Sequence, residues 1–120
     1  MTPEQLQERT KRFALSIIKL SNNIERNVAG KIIASQLVRS GTAVAANYRA
    51  TCRSRSRADF ISKVGVVAEE ADESALWLEL LSEAKLLDEK TAKPVLKEAE
   101  EITRIMAASW KTSREVRSRD

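Results

Sequence analysis

The sequence predicts an all-α protein, folded as an antiparallel up-down-up-down four-helix bundle. Three observations carry that expectation. Apolar residues recur at spacings of three and four along four separate segments. Turn formers are scarce: 120 residues hold three Gly and two Pro, too few for a sandwich or barrel of short strands. The links between the segments are short, which favours antiparallel neighbours.

Thr2-Pro3-Glu4-Gln5 opens the first helix. Thr2 can cap it, Pro3 suits the first helical position, and Gln5 holds the reciprocal place of a capping box. Leu6, Phe13, Ile17, Leu20 and Ile24 then mark one face, and the helix should stop between Asn22 and Arg26. Asn27 caps a second helix from Val28, with Ile33, Leu37, Val44 and Tyr48 on its buried side. Gly41 lies inside it at a cost of about 1 kcal/mol against Ala, which predicts close helix packing or a mild bend. The second helix should fray near Arg53.

Ser56 caps the third helix, and Asp59 in its first turn complements the positive helix end. Phe60, Val64, Val67, Ala71, Ser74, Leu78 and Leu81 follow in alternating spacings of four and three, the strongest periodic signal in the chain. The fourth helix is expected from about Thr91, because Pro94 in a helix interior removes a hydrogen bond and clashes with the preceding turn. Val95, Ala99, Ile102, Met106 and Ser109 line its inner side. Lys111–Asp120 is polar and expected to fray. The length fits a single domain over residues 1–120.

The third helix carries more apolar residues than one core stripe holds. With Leu78 and Leu81 facing the core, Leu76 lies on the opposite side, and Val66 and Leu80 also fall off the stripe. A helix apolar all round is buried all round. Val66, Leu76, Trp77 and Leu80 are therefore expected at a subunit interface, with scattered surface hydrophobes as the alternative.

Candidate chemistry is limited. There is no histidine, which excludes His-ligated metals and Ser-His or Cys-His catalysis. Cys52 is the one cysteine, so no internal disulfide forms, which fits a reducing compartment. Gly30, Gly41 and Gly65 stand too far apart for a phosphate loop. No apolar run approaches the ~20 residues of a membrane span, and the first residues lack an apolar signal core. A cytoplasmic location with no membrane association is the expectation. Glu-x-x-Glu pairs on facing helices can hold Mg²⁺, as in all-α nucleotide pyrophosphatases. Glu70 and Glu73, with Glu98 and Glu101, supply two such pairs. The heptad phase turns Glu69 and Glu73 away from the core, so neither a metal nor a cofactor is expected, and this enzyme remains the alternative.

Charge is the better signal. The net charge of +4 is unevenly laid out. Residues 27–58 carry Lys31, Arg39, Arg49, Arg53, Arg55 and Arg57 and no acid, whereas residues 59–101 carry twelve acids and five bases. Arg49, Arg53 and Arg57 would align over about 12 Å if the helix continued through them. Arg55 joins them at the corner between the second and third helices. Arginine forks match phosphate geometry. Only Tyr48 is near enough to stack on a base, so these six cations are expected to contact nucleic-acid backbone rather than bases. Neutralisation by the acidic third helix is the alternative.

Three stretches also carry a resemblance. Gln36-Leu37-Val38-Arg39-Ser40-Gly41-Thr42-Ala43-Val44-Ala45-Ala46-Asn47-Tyr48-Arg49, then Arg53-Ser54-Arg55-Ser56-Arg57-Ala58-Asp59-Phe60, then Glu69-Glu70-Ala71-Asp72-Glu73 resemble the bacterial four helix bundle protein family. It is also called the large-subunit ribosomal RNA intervening-sequence protein family. Arg39, Asn47, Ser56, Phe60 and Glu73 match its motif. Tyr48-Arg49-Ala50-Thr51 stands where many members have Ile-Ala-Glu-Gly, and Glu69-Glu70 where they have Gly-Ser. The resemblance covers residues 5–113. It implies an antiparallel bundle and a ring-like homopentamer. A related branch includes the accessory variability determinant of diversity-generating retroelements, which binds nucleic acid and partners a reverse transcriptase. The combined expectation is a non-enzymatic homo-oligomer that binds RNA or DNA backbone, an accessory or ribonucleoprotein-type factor. A protein-assembly scaffold without nucleic acid is its alternative.

Overall fold

Four helices follow in chain order: α1 (Pro3–Ser21), α2 (Val28–Thr51), α3 (Arg57–Glu83) and α4 (Glu89–Arg119). The structure, a computed structural model, describes the backbone of residues 1–119 and the side chains of residues 1–116. No strand occurs among the described residues. Each helix packs on the next and α1 closes onto α4, so α1 lies diagonally across from α3, and α2 from α4. This is the up-down-up-down bundle, about 52 Å long and 21–23 Å across.

Local chemistry sets most helix ends. Gln5 N–H donates to Thr2 Oγ1 at 3.1 Å while Thr2 N–H donates to Gln5 Oε1 at 2.8 Å, a complete capping box. Asn27 Oδ1 accepts from Gly30 N–H at 2.8 Å, and Ser56 Oγ from Asp59 N–H at 3.1 Å. Each such cap is worth about 1 kcal/mol. α3 closes in a Schellman motif: Leu86 N–H reaches Leu81 O at 2.9 Å and Lys85 N–H reaches Ser82 O at 3.1 Å. Lys85 sits at the left-handed position, φ 58°.

α4 departs from expectation at its start. It begins at Glu89 rather than Thr91, and Pro94 lies inside it. The carbonyl of Asp88 accepts from Thr91 N–H and Ala92 N–H at 3.0 Å, closing a turn before the proline is reached. Pro94 then removes a single donor, that facing the Lys90 carbonyl, and buried Ala92 and Leu87 hold the segment down. At the other end the helix continues through the stretch from Lys111 to Arg119 where fraying is expected; Asp120 lies outside the described residues.

The core is built from the periodic faces: Phe13 and Ile17 of α1, Leu37 and Val44 of α2, Val64, Val67, Leu78 and Leu81 of α3, Ile102 and Met106 of α4. Leu6, Ile33, Phe60 and Val95, expected inside, form its half-buried margin. Gly41 marks the close approach that its place in α2 predicts: a Cβ there would lie 2.8 Å from Ile17 Cγ1. Between α2 and α3 the buried hydroxyls of Ser40 and Ser74 meet at 2.7 Å. At one end of the bundle the two loops are tied together, Glu25 N–H donating to Leu86 O at 3.0 Å.

Candidate nucleic-acid interface

The corner between α2 and α3 lies at the opposite end from those loops. α2 ends at Thr51, and Cys52, Arg53 and Ser54 fold back through N–H bonds to Tyr48, Ala50 and Thr51 of 3.0–3.1 Å. The chain therefore turns before Arg53, and Arg49, Arg53 and Arg57 do not line up on one helix. They are regrouped instead. Arg49, Arg53 and Arg55 line an open groove of about 520 Å³ together with Ala46, Ala50, Asp59 and Lys63. Asp59 is its one acid, and its charge is already in use. Lys63 Nζ lies 3.0 Å from Asp59 Oδ2, which also accepts the Arg55 backbone N–H at 3.1 Å. Those two partners, Lys63 foremost, hold the Asp59 carboxyl below its ordinary range. Among the described residues no hydrogen bond or ion pair engages the guanidinium of Arg49 or Arg53.

Arg49 also borders a second groove, with Gln7, Lys11, Ala14, Thr42, Ala45 and Ala46, which carries the cationic surface onto α1. Lys11 and Lys63 are the members that the sequence does not single out. Lys11 sits in a segment of mixed charge and Lys63 in the acid-rich part of the chain; only the fold brings both beside Arg49. The Asp59–Lys63 spacing of four was the one local signal.

The remaining marked cations lie elsewhere. Arg39, midway along α2, crosses to α3 and forms ion pairs with Glu70, at 3.0 Å, and with Glu73. Both carboxylates, Glu70 first, push its guanidinium further up. Arg39 is thus neutralised within the chain. Lys31, in the first turn of α2, is about 27 Å along the helix from Arg49 and lines a hollow with Arg26. Arg57 is exposed as the first residue of α3, outside the groove lining.

The acidic pairs are occupied by arginines too. Arg9 of α1 grips Glu98 of α4 through Nη2 at 2.7 Å and Nε at 2.8 Å, and Glu101 at 3.0 Å. Glu98 and Glu101 raise the Arg9 guanidinium, and Arg9 in turn lowers the Glu101 carboxyl. Each Glu-x-x-Glu pair therefore holds one arginine, the α2–α3 pair on one seam and the α1–α4 pair on another. The four carboxylates do not converge, and among the described residues no group of three or more Cys, Asp or Glu side chains is placed to hold a metal ion. Cys52 is exposed, and burial followed by proximity to Cys52 pushes the Tyr48 phenol up.

Of the four apolar residues expected at an interface, Leu76 and Leu80 lie exposed on the outer face of α3. Val66 is exposed about 15 Å further back along that helix. Trp77 is half-buried against the core, its indole N–H buried without a partner among the described residues. Leu15 and Ile18 of α1 and Val28 and Ile32 of α2 are exposed as well. No helix among the described residues is long and apolar enough to cross a membrane.

Comparison with known proteins agrees with this architecture. A crystal structure from Bacteroides thetaiotaomicron, of a protein with unknown function from the S23 ribosomal protein family, matches with a TM-score of 0.83 and 28% identity. The match spans 92% of this chain and 99% of that one. No curated protein matches the sequence. The family model of the 23S rRNA-intervening sequence protein matches residues 4–108, nearly the whole bundle, and the chain belongs to that family.

Proposed function

We propose that this protein is a non-enzymatic homo-oligomer that binds the phosphate backbone of RNA or DNA through the groove at the α2–α3 corner. The observation that carries the reading is the pair of uncommitted guanidinium groups, Arg49 and Arg53, beside Arg55 and Lys63. Elsewhere on the bundle Arg9 and Arg39 are tied to carboxylates. A cation that already has an ion-pair partner must give it up to meet a phosphate, whereas an open one releases only counterions and water. No aromatic side chain lines the groove, so affinity should come from the backbone and show little sequence preference.

Salt dependence tests this directly. Each neutralised phosphate contributes about 0.9 to the slope of log affinity against log salt on duplex DNA, and about 0.7 on single strands. Replacing Arg49, Arg53 and Arg55 together with Ala should flatten the slope by roughly two to three per subunit engaged. An unchanged slope removes the groove from the account. Failure of the wild type to bind any RNA or DNA at low salt favours the assembly scaffold instead. Nucleotide hydrolysis with Mg²⁺ that Glu73→Gln abolishes would overturn the non-enzymatic part.

A further inference from the structure

Because α1 and α3 sit diagonally across the bundle, their outer faces point in opposite directions. Both carry exposed apolar side chains: Leu15 and Ile18 on α1 (47% and 45% exposed), Leu76 and Leu80 on α3 (47% and 40%). Their surroundings are opposite in sign. On α3 the residues flanking Leu76 and Leu80 on the outward stripe are Glu69, Asp72, Glu79 and Glu83, all exposed. No ion pair among the described residues engages any of the four. Acids three and four apart on one helix face repel one another, so this stripe is under electrostatic strain that a cationic surface would relieve. On α1 the places four residues before and after Leu15 are held by Lys11 and Lys19, both exposed and neither in an ion pair. The intervening Arg12 is paired with Glu8 at 3.1 Å.

We infer that the outer face of α3 in one copy docks on the outer face of α1 in another copy, Leu76 and Leu80 against Leu15 and Ile18, with the α3 carboxylates opposite Lys11 and Lys19. The occupant is a second copy because the two faces are opposite in charge and each carries apolar side chains that the other can bury. A self-pairing of α3 faces would set four carboxylates against four more. The contact is therefore heterologous: every copy offers one face of each kind, and association propagates into a ring or an open chain rather than stopping at a two-fold dimer. The inference rests on the homo-oligomer part of the proposed function and adds which surfaces meet.

Sedimentation of the full chain without nucleic acid tests it. Wild type should sediment as an assembly at micromolar concentration. Replacing Glu69, Asp72, Glu79 and Glu83 together with Lys makes both faces basic, and Lys11→Glu with Lys19→Glu makes both acidic; either set should release monomers of unchanged helicity by circular dichroism. All six substitutions in one chain should restore the wild-type species. An assembly that survives either reversal overturns the pairing of faces while leaving self-association intact, and so does a helical sixfold variant that stays monomeric. A monomeric wild type overturns both readings. Wild type alone supplies a second measurement: raising salt from about 0.05 M to about 0.5 M shortens the screening length several-fold and should shift the equilibrium toward monomers. An assembly indifferent to salt overturns the proposal whatever the variants do.

Discussion

At Gly30 a single methyl group would sit 1.8 Å from the carbonyl oxygen of Glu25. That oxygen is backbone, and the same residue's N–H ties the α1–α2 loop to Leu86. The loop cannot yield without losing this bond, so overpacking here is not relieved by a rotamer change. Gly30→Ala should lower the stability of the bundle by about 3 kcal/mol in urea unfolding, despite alanine's better helix propensity. Lys85 is the converse case. It occupies a left-handed backbone position that suits glycine, and its side chain is exposed. Lys85→Gly should raise stability by about 1 kcal/mol, net of the extra freedom glycine has in the unfolded chain. Neither residue announces itself in the sequence. The group that forbids a side chain at Gly30 comes from the preceding loop, and the end of α3 lacks the glycine that commonly marks a helix stop.

Between elements, the sequence is legible wherever an interaction is local. The caps at Thr2, Asn27 and Ser56 join residues three apart, and each forms as the sequence predicts. α4 starts two residues earlier than the sequence predicts because the penalty of Pro94 is local while the burial of Leu87 and Ala92 that offsets it is not. The two ion-pair seams were equally out of reach: Arg9 and Glu98 are 89 positions apart, and nothing in either neighbourhood specifies the other. The Arg9–Glu101 contact, with that of Asp59 and Lys63, makes stability depend on acid. The Glu101 carboxyl is lowered by Arg9 and that of Asp59 by Lys63. A carboxyl lowered on folding stabilises the native state above its unfolded pKa, and that contribution disappears as pH falls through the lowered folded value. Unfolding midpoints should therefore be level near neutrality and decline below about pH 4.5. The double variant Asp59→Asn, Glu101→Gln should show a shallower acid decline than wild type, and an identical decline would remove both contacts from the account.

Over the whole molecule, the acid-free stretch holds the three arginines of the groove, but proximity in sequence overstates how much of its charge is shared. Six cations lie within residues 27–58, yet folding separates them. Arg39 is spent on Glu70 and Glu73, and Lys31 is carried to the far end of α2. Arg49, Arg53 and Arg55 remain together and gain Lys63 from outside the stretch. At physiological salt, charges separated by more than about 8 Å are largely screened from one another, so distance along the bundle decides which cations a bound phosphate feels. The double variant Lys31→Ala, Arg39→Gln removes as much formal charge as any two groove arginines. It should nevertheless leave the salt slope of RNA and DNA binding unchanged, while the loss of the α2–α3 ion pairs lowers the unfolding midpoint. A slope that falls by about one for each of the two residues would show that nucleic acid tracks the entire length of α2. In that case the arginine seam would have to open on binding, freeing Glu70 and Glu73 to repel the phosphates that displaced them.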